Sequence, residues 1–327
     1  MYLLRFDLRA PGRSASQRGA LVRTAIDMAA WVDDHRCASI VISEHHSTDD
    51  GYLPSPLALA SAVAAVTTST PIVVAASLLP LADPVRLAED IITLDHISQG
   101  RALVVLGLGY RPVEYELYGV DYARRGAIAD EKLERLLALL REAAVGTTHP
   151  RVTPAPFTSP LPMLAWGGRS VAAARRAGRN GIGFFGQTDG PGLRDAYEEA
   201  ARANGHQPGL CLLPDPATPL IVFVDDDVDA GWRQVGDAML VDATSYREWS
   251  DAAGTAEGTA SLSAASTVEE LRAANGAHRV VTSDEAVSII GRHGLLGLHP
   301  LCGGLDPDVA WPYLRRAVAA AERASAR

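Results

Sequence analysis

The stretch from Pro71 to Arg111 constrains this chain most, because it reads as one complete strand, helix and strand. Pro71-Ile-Val-Val-Ala-Ala-Ser-Leu-Leu79 is uncharged, partly β-branched and closed by Pro80, the pattern of a strand buried on both faces. A helix follows: Asp83 stands as N-cap and Pro84 as its first residue. Val85, Ala88, Ile91 and Ile92 form an apolar stripe, and Gly100 sits where a glycine stops a helix. Ala102-Leu-Val-Val-Leu106 is a second buried strand. Two such strands joined by a helix lie parallel with a right-handed crossover, and parallel α/β folds place their sites at the strands' carboxyl ends. Those ends are Ala75-Ala76-Ser77 and Gly107-Leu-Gly109-Tyr110-Arg111, where small side chains let a flat ligand approach the backbone.

The rest of the chain repeats this alternation. Tyr2 to Leu8 reads as a first strand, Ser16 to Asp34 as a helix, and Ser39-Ile-Val-Ile-Ser43 as a buried strand running into Glu44-His45-His46. Pro56 to Val66 is a helix. Beyond the organising unit come a loop from Tyr110 to Tyr122 and a helix from Ile128 to Ala144. His149 to Pro162 follows with five prolines, a segment that must be irregular. Leu161 to Trp166 is a strand opening through Gly167-Gly168-Arg169-Ser170 into a helix. Gly181 to Phe185, Leu193 to Ala203 and Leu220 to Val224 continue as strand, helix and strand. A helix from Asp284, a strand from Leu295 and a helix from Asp308 finish the chain. Residues 242–265, weakly periodic and rich in Ser, Thr, Gly and Ala, read as an insertion covering one end of the core. With no composition break, about eight alternations over 327 residues predict a single (β/α)8 barrel domain over residues 1–327.

Charge and cysteines narrow the function classes. A net charge of −9 with no basic cluster longer than a pair gives no footprint for nucleic acid. Cys37, Cys211 and Cys302 are odd in number and far apart, which indicates neither a disulfide framework nor a cysteine zinc site, and fits a reducing cytoplasm. Arg5, Asp7 and Arg9 interrupt the early apolar run, so no signal peptide is expected. The uncharged stretch from Gly51 to Ala82 is cut by Thr67-Thr-Ser-Thr-Pro71 into buried helix and buried strand rather than a membrane span.

Each motif has a bland reading beside it. Gly181-Ile-Gly-Phe-Phe-Gly186 is a literal G-x-G-x-x-G, but a helix precedes it and its glycines lie inside a strand-like run, so it reads as packed strand. Gly167-Gly168-Arg169-Ser170 joins strand to helix and offers backbone N–H groups, a hydroxyl and a guanidinium to a phosphate; equally, Ser170 could merely cap the helix. His45 and His46 would point to opposite faces if the strand continued, which disfavours a metal pair, and a lone histidine is most often a satisfied structural group. Glu114 and Glu116 read as solvated as readily as functional.

Taken together, Glu44-His45-His46, the run from Ala75 to Asp90, Leu94-Asp-His-Ile-Ser-Gln-Gly-Arg101, Gly107-Leu-Gly-Tyr-Arg111 and Gly167-Gly168 resemble the bacterial luciferase-like family of flavin-dependent oxidoreductases. The similarity is densest from about residue 40 to 126 and lowest in the 242–265 segment. The resemblance implies a dimeric (β/α)8 barrel that binds reduced FMN, or the deazaflavin coenzyme F-420, at the strands' carboxyl ends. It also implies a non-proline cis peptide under the flavin ring, matched here by Ala75–Ala76. By position His45 matches the histidine that assists oxygen chemistry in luciferases. Ala75, Ala76, Ser77, Gly107, Gly109 and Tyr110 are cofactor-binding candidates at the two strand ends, and Arg111, Gly167, Gly168, Arg169 and Ser170 fall where the family holds the phosphate and ribityl chain. Gly107 and Leu108 replace a cysteine and an arginine of the light-emitting members. That departure puts light emission and their mode of phosphate binding in doubt, with Arg111 as a substitute charge.

The function expected is a flavin-dependent monooxygenase using reduced FMN from a separate reductase, and O2, to oxidise a small organic substrate. One alternative is a deazaflavin-dependent oxidoreductase that transfers hydride without O2; another is a non-catalytic flavin-binding protein. Substrate identity is expected to rest on the proline-rich segment and on residues 242–265.

Overall fold

The computed structural model describes residues 1–147, 149–187, 189–254 and 263–326. In chain order its elements are β1 (Tyr2–Phe6), α1 (Ala15–Asp33), β2 (Ser39–Ile42), α2 (Pro56–Val66), β3 (Ile72–Leu78), α3 (Pro84–Ser98), β4 (Ala102–Gly107), α4 (Pro112–Tyr118) and α5 (Arg125–Val145). Next come β5 (Met163–Gly168), α6 (Val171–Arg179), β6 (Gly183–Gly186), α7 (Leu193–Ala203), β7 (Cys211–Leu212), β8 (Ile221–Val224), α8 (Val228–Ala252), α9 (Val268–Ala274), β9 (His278–Val281), α10 (Ser283–His293), β10 (Leu296–Leu298) and α11 (Pro307–Ser325). Contacts divide the chain into two compact units. One comprises Met1–Val41, His45–Pro54 and Asp215–Arg327, the other Ile42–Glu44 and Ser55–Pro214.

In the second unit β3, β4, β5, β6 and β7 lie side by side in that order, every neighbouring pair parallel. The helix between β3 and β4 forms for the reasons its sequence carries. Asp83 Oδ1 accepts from the N–H groups of Val85 and Arg86 at 2.9 and 3.0 Å, and Pro84 fills the first turn. Gln99, in the left-handed region, ends the helix one residue before Gly100, which also has positive φ. Leu87, Ala88, Ile91 and Ile92 are buried, while Val85, expected in that stripe, is 42% exposed. Arg101 donates to Ala64 O, Thr67 O and Thr70 O at 2.9–3.1 Å, tying the end of α2 to the start of β4. Lys132 on α5 donates to Pro80 O and Ala82 O at 2.6 and 2.7 Å, which fixes the connection leaving β3.

Residues 149–162 form no helix or strand. The segment is anchored at the C-terminal turn of α3. Buried Asp95 accepts from Thr158 N at 2.8 Å and Thr158 Oγ1 at 2.6 Å, and His96 Nε2 lies 2.8 Å from Ala155 O.

Helices α5 and α6 are joined by Asp130, which accepts from Arg176 Nε at 2.7 Å and Nη2 at 3.0 Å, while Arg176 also stacks 4.9 Å over Trp166. The hydrogen bonds from Arg176 hold the Asp130 carboxyl below its ordinary range, against a smaller opposing effect of burial. A depressed carboxyl pKa contributes stability that is full above the unfolded value of about 4 and is lost as pH falls through the folded one. Asp130→Asn should therefore cost about 0.5–1 kcal/mol at pH 7, the scale of a half-exposed pair, and nothing in strong acid. Melting curves at pH 7 and pH 3 check this; an equal deficit at both would count against it.

In the first unit β1 pairs in parallel with β10, and β8 with β9. Helix α8 runs unbroken from Val228 to Ala252, so residues 242–252 are its last three turns rather than part of an irregular insertion. Residues 255–262 of that expected insertion lie outside the described residues. Among the described residues no helix is long and apolar enough to cross a membrane. The three cysteines are unpaired.

Candidate functional site

The carboxyl ends of β3, β4 and β5 converge in the second unit on a patch nearly free of side chains. Pairing of β3 with β4 slips at this point: Ala75 lies opposite Val105 and Ser77 opposite Leu106, so Ala76 has no ladder partner. The Ala75–Ala76 peptide is cis, the geometry that the resemblance implies. A Cβ added to Gly107 would come within 3.0 Å of Ala76 Cβ. One on Gly167 would come within 3.0 Å of Val105 Cγ1 and 3.8 Å of Ala76 Cβ. Three strand ends thus meet as bare backbone, which only glycine and alanine allow at this spacing.

Around the patch the polar residues sort into tied and free. Ser77 is buried. Glu44 follows β2, and its Oε1 accepts from Leu78 N at 3.4 Å. Gly109 turns the chain after β4 with φ 72°. Tyr110 follows it, its carbonyl accepting from Tyr122 at 3.0 Å. Arg111 Nη1 donates to Glu114 Oε1 at 3.1 Å, and Glu114 is completely buried rather than solvated; Glu116 is exposed. The substitute phosphate charge expected of Arg111 is therefore already paired with a carboxylate. Residues 112–118, expected as loop, are the short helix α4 that brings Glu114 to Arg111.

Gly168 carries β5 directly into α6; a Cβ there would sit 2.6 Å from Ala173 Cβ. Ser170 caps α6 by accepting from Ala173 N at 3.2 Å, so the positive end of that helix begins two residues after the end of β5. Arg169 is half-buried, and its Nη1 is enclosed with no hydrogen-bond partner among the described residues. An enclosed guanidinium nitrogen of this kind is where an anionic ligand oxygen gains most.

His45 belongs to the first unit. The strand β2 ends at Ile42, so the alternation of faces expected for His45 and His46 does not apply, and both are buried. His45 is walled by Tyr52 and Trp249, each with its ring centroid 4.9 Å away, and by Tyr246 at 6.3 Å. Tyr246 on α8 shares a hydrogen bond of 2.9 Å with Tyr52 and accepts from Arg5 at 2.6 Å.

Behind this aromatic wall lies a buried ionic cluster that sequence reasoning missed. Arg9 donates from Nε to Asp7 Oδ2 at 2.9 Å, lies 3.6 Å from Asp50 and 3.7 Å from Asp242, and stands 4.9–5.2 Å from the rings of Tyr52, Tyr246 and Trp249. Burial alone would raise the Asp7 and Asp242 carboxyls. The histidine and arginine charges around them reverse that, holding Asp7 well below the carboxylate range and Asp242 at about 2. Charged residues immediately after an apolar strand, Asp7 and Arg9 after β1, were the one legible signal; their partners on α8 and after β10 are more than 230 residues away.

The model of the luciferase-like monooxygenase family matches residues 3–294. The alkanal monooxygenase alpha chain of Photorhabdus luminescens is 32% identical over 92 residues, 28% of this chain and 26% of its own. The curated relatives match over less than two fifths of their own length. Among solved structures, monooxygenase RslO1 from Streptomyces bottropensis superposes with a TM-score of 0.73 at 21% identity over 99% of both chains. The oxygenating constituent of 3,6-diketocamphane monooxygenase from Pseudomonas putida, in complex with FMN, gives 0.70 at 21% over 99% and 98%. An F-420-dependent secondary alcohol dehydrogenase gives 0.62 at 16% over 94% and 96%. At these identities the structures carry the fold, and the family model carries the kinship. The chain belongs to the luciferase-like monooxygenase family and has the (β/α)8 barrel fold of the solved structures it superposes on.

Proposed function

We propose that the chain is a flavin-dependent monooxygenase taking reduced FMN and O2 to oxidise a small organic substrate. The observation that carries this reading is the bare patch formed by Ala76, Gly107 and Gly167, with Arg169 two residues on from Gly167 and its enclosed Nη1 without a hydrogen-bond partner among the described residues. A flat ring system needs a floor without side chains, and a phosphate needs a cation with hydrogen-bond capacity in reserve. In this reading Ala75, Ala76, Ser77, Gly107, Gly109 and Tyr110 hold the ring. Gly167, Gly168, Arg169 and Ser170 hold the tail, and Arg111 serves through its pair with Glu114 as a positioner. Bound there, the flavin supplies the electrons that activate oxygen.

What the chain adds is position and proton control. The aromatic wall packs around the buried His45, whose imidazole is a side chain that can hand over or take up a proton. A homodimer in a reducing cytoplasm, served by a separate flavin reductase, completes the reading.

The same floor would accept a deazaflavin, and the likeness to the F-420-dependent alcohol dehydrogenase favours keeping that second reading. Side-by-side titration with reduced FMN and reduced deazaflavin separates the two, with tighter FMN binding and substrate-dependent O2 consumption expected. Deazaflavin binding with no O2 uptake would replace the first reading by the second. Arg169→Ala should weaken cofactor binding about 10- to 100-fold, the value of one charge-assisted hydrogen bond set. Unchanged affinity in that variant would remove the phosphate assignment.

A further inference from the structure

Three side chains far apart in sequence meet inside the first unit. Asp242 on α8, His299 directly after β10, and Cys302 in the turn that follows each place one ligand-type atom within 4.8 Å of the other two, and all three are buried. Their placement follows from the backbone. Gly303, at φ 59°, presses against α8 so closely that a Cβ there would lie 2.2 Å from Ala238 O. Ala238 is four residues before Asp242, hence on the same helix face, and Cys302 Sγ lies 3.8 Å from Ala238 O.

Asp242 has one oxygen hydrogen-bonded and one not, and neither nitrogen of His299 makes a hydrogen bond among the described residues. Asp242 Oδ2 takes a hydrogen bond from His278 Nε2 at 2.9 Å, while Oδ1 has no hydrogen-bond partner among the described residues. His299 Nε2 lies 3.3 Å from Asp7 Oδ1, off the hydrogen-bond line, and Nδ1 has no hydrogen-bond partner there either. A buried polar atom left this way costs free energy, and several converging on one point define a ligand position. Carboxylate facing the second nitrogen of a histidine is the outer-sphere arrangement that orients metal-bound imidazole.

We propose that Asp242, His299 and Cys302 form a divalent transition-metal site of the zinc type, clipping α8 to the exit of β10. A thiolate, an imidazole and a carboxylate make a mixed set suited to zinc or cobalt, with a fourth position left for water. Tetrahedral ligands stand roughly 3.5 Å apart, so side-chain rotation of about 1 Å closes the site. The opposing feature is the Arg9 guanidinium, 3.7 Å from Asp242 Oδ1. Charge counting answers it. Arg5 and Arg9 face three carboxylates, Asp7, Asp50 and Asp242, so the carboxylates outnumber the guanidinium groups by one. A divalent ion enters as the Cys302 thiol releases its proton to solvent and becomes the thiolate ligand. The site stands independently of the flavin reading.

The test uses the reduced full-length chain titrated with Co2+ and Zn2+, without flavin. One Co2+ per chain is expected, with a near-ultraviolet sulfur-to-cobalt absorption band that Cys302→Ser abolishes and Cys211→Ser retains. Asp7→Asn should lower Zn2+ affinity about 10- to 100-fold, the usual effect of removing an outer-sphere carboxylate. Should Cys302→Ser not fold, zinc-edge X-ray absorption on the unmodified chain decides, because one sulfur neighbour at about 2.3 Å is required. No stoichiometric ion, a cobalt band surviving in Cys302→Ser, or a zinc shell of oxygen and nitrogen alone overturns the proposal.

Discussion

Replacing Arg9 with alanine should destabilise the protein by about 3–5 kcal/mol, the cost of breaking a buried ion pair from one side. The guanidinium is completely enclosed. It is the cation shared by Asp7 and Asp242, themselves without exposure, and by Asp50. Removing it strands carboxylates that burial already disfavours, and it also deletes the group stacked against Tyr52, Tyr246 and Trp249. Arg9→Lys keeps one charge but not the planar fork, so it should recover only part of the loss. Circular-dichroism melts of the three proteins measure this. A loss under about 1 kcal/mol in the alanine variant would mean the cluster is solvated in solution, and the charge balance argued for the metal site would fail with it.

His45→Ala should lower turnover by about 10²- to 10⁴-fold, the range for a positioned proton donor or base, with flavin affinity changed far less. Its imidazole sits between Tyr52 and Trp249 at equal centroid distances, so the variant opens a gap in the aromatic wall as well as removing the proton carrier. His45→Gln separates those effects because it fills the space and hydrogen-bonds without titrating near neutrality. If the glutamine variant keeps the parental kcat and its pH profile, His45 is packing and not chemistry. If both variants lose turnover and keep flavin, the proton role stands.

How much of this was legible depended on whether a segment's signals were local. Helix α3 carries its N-cap, its proline and its apolar face within fifteen residues, and its two strands are uncharged on both sides; all three elements fall within one or two residues of expectation. Helix α7 coincides with the expected range. Helix α8 was invisible for a physical reason. Its buried face carries Asp242, Tyr246 and Ser250 at helical spacing, so the hydrophobic period breaks where the helix turns functional-looking groups inward. Helix α4, with seven residues, is too short to show a period, although Pro112 and Gly119 mark its ends. That omission made Glu114 look solvated and Arg111 look free. Within the strand-end patch the residue types were readable in advance. The trio of Asp242, His299 and Cys302 was not, since no spacing rule connects a helix to a turn some sixty residues on.

The link from Asp95 to Thr158 decides what the proline-rich segment can do. Helix α3 runs opposite to the strands of its unit, so its last turn marks the rim where those strands begin, and the segment is moored there. A chain fastened there lies away from the carboxyl ends of β3, β4 and β5, where the proposed cofactor floor sits. With the cofactor floor as proposed, swapping residues 149–162 for another tether of equal span ought to leave substrate preference untouched, which frees this stretch to diverge.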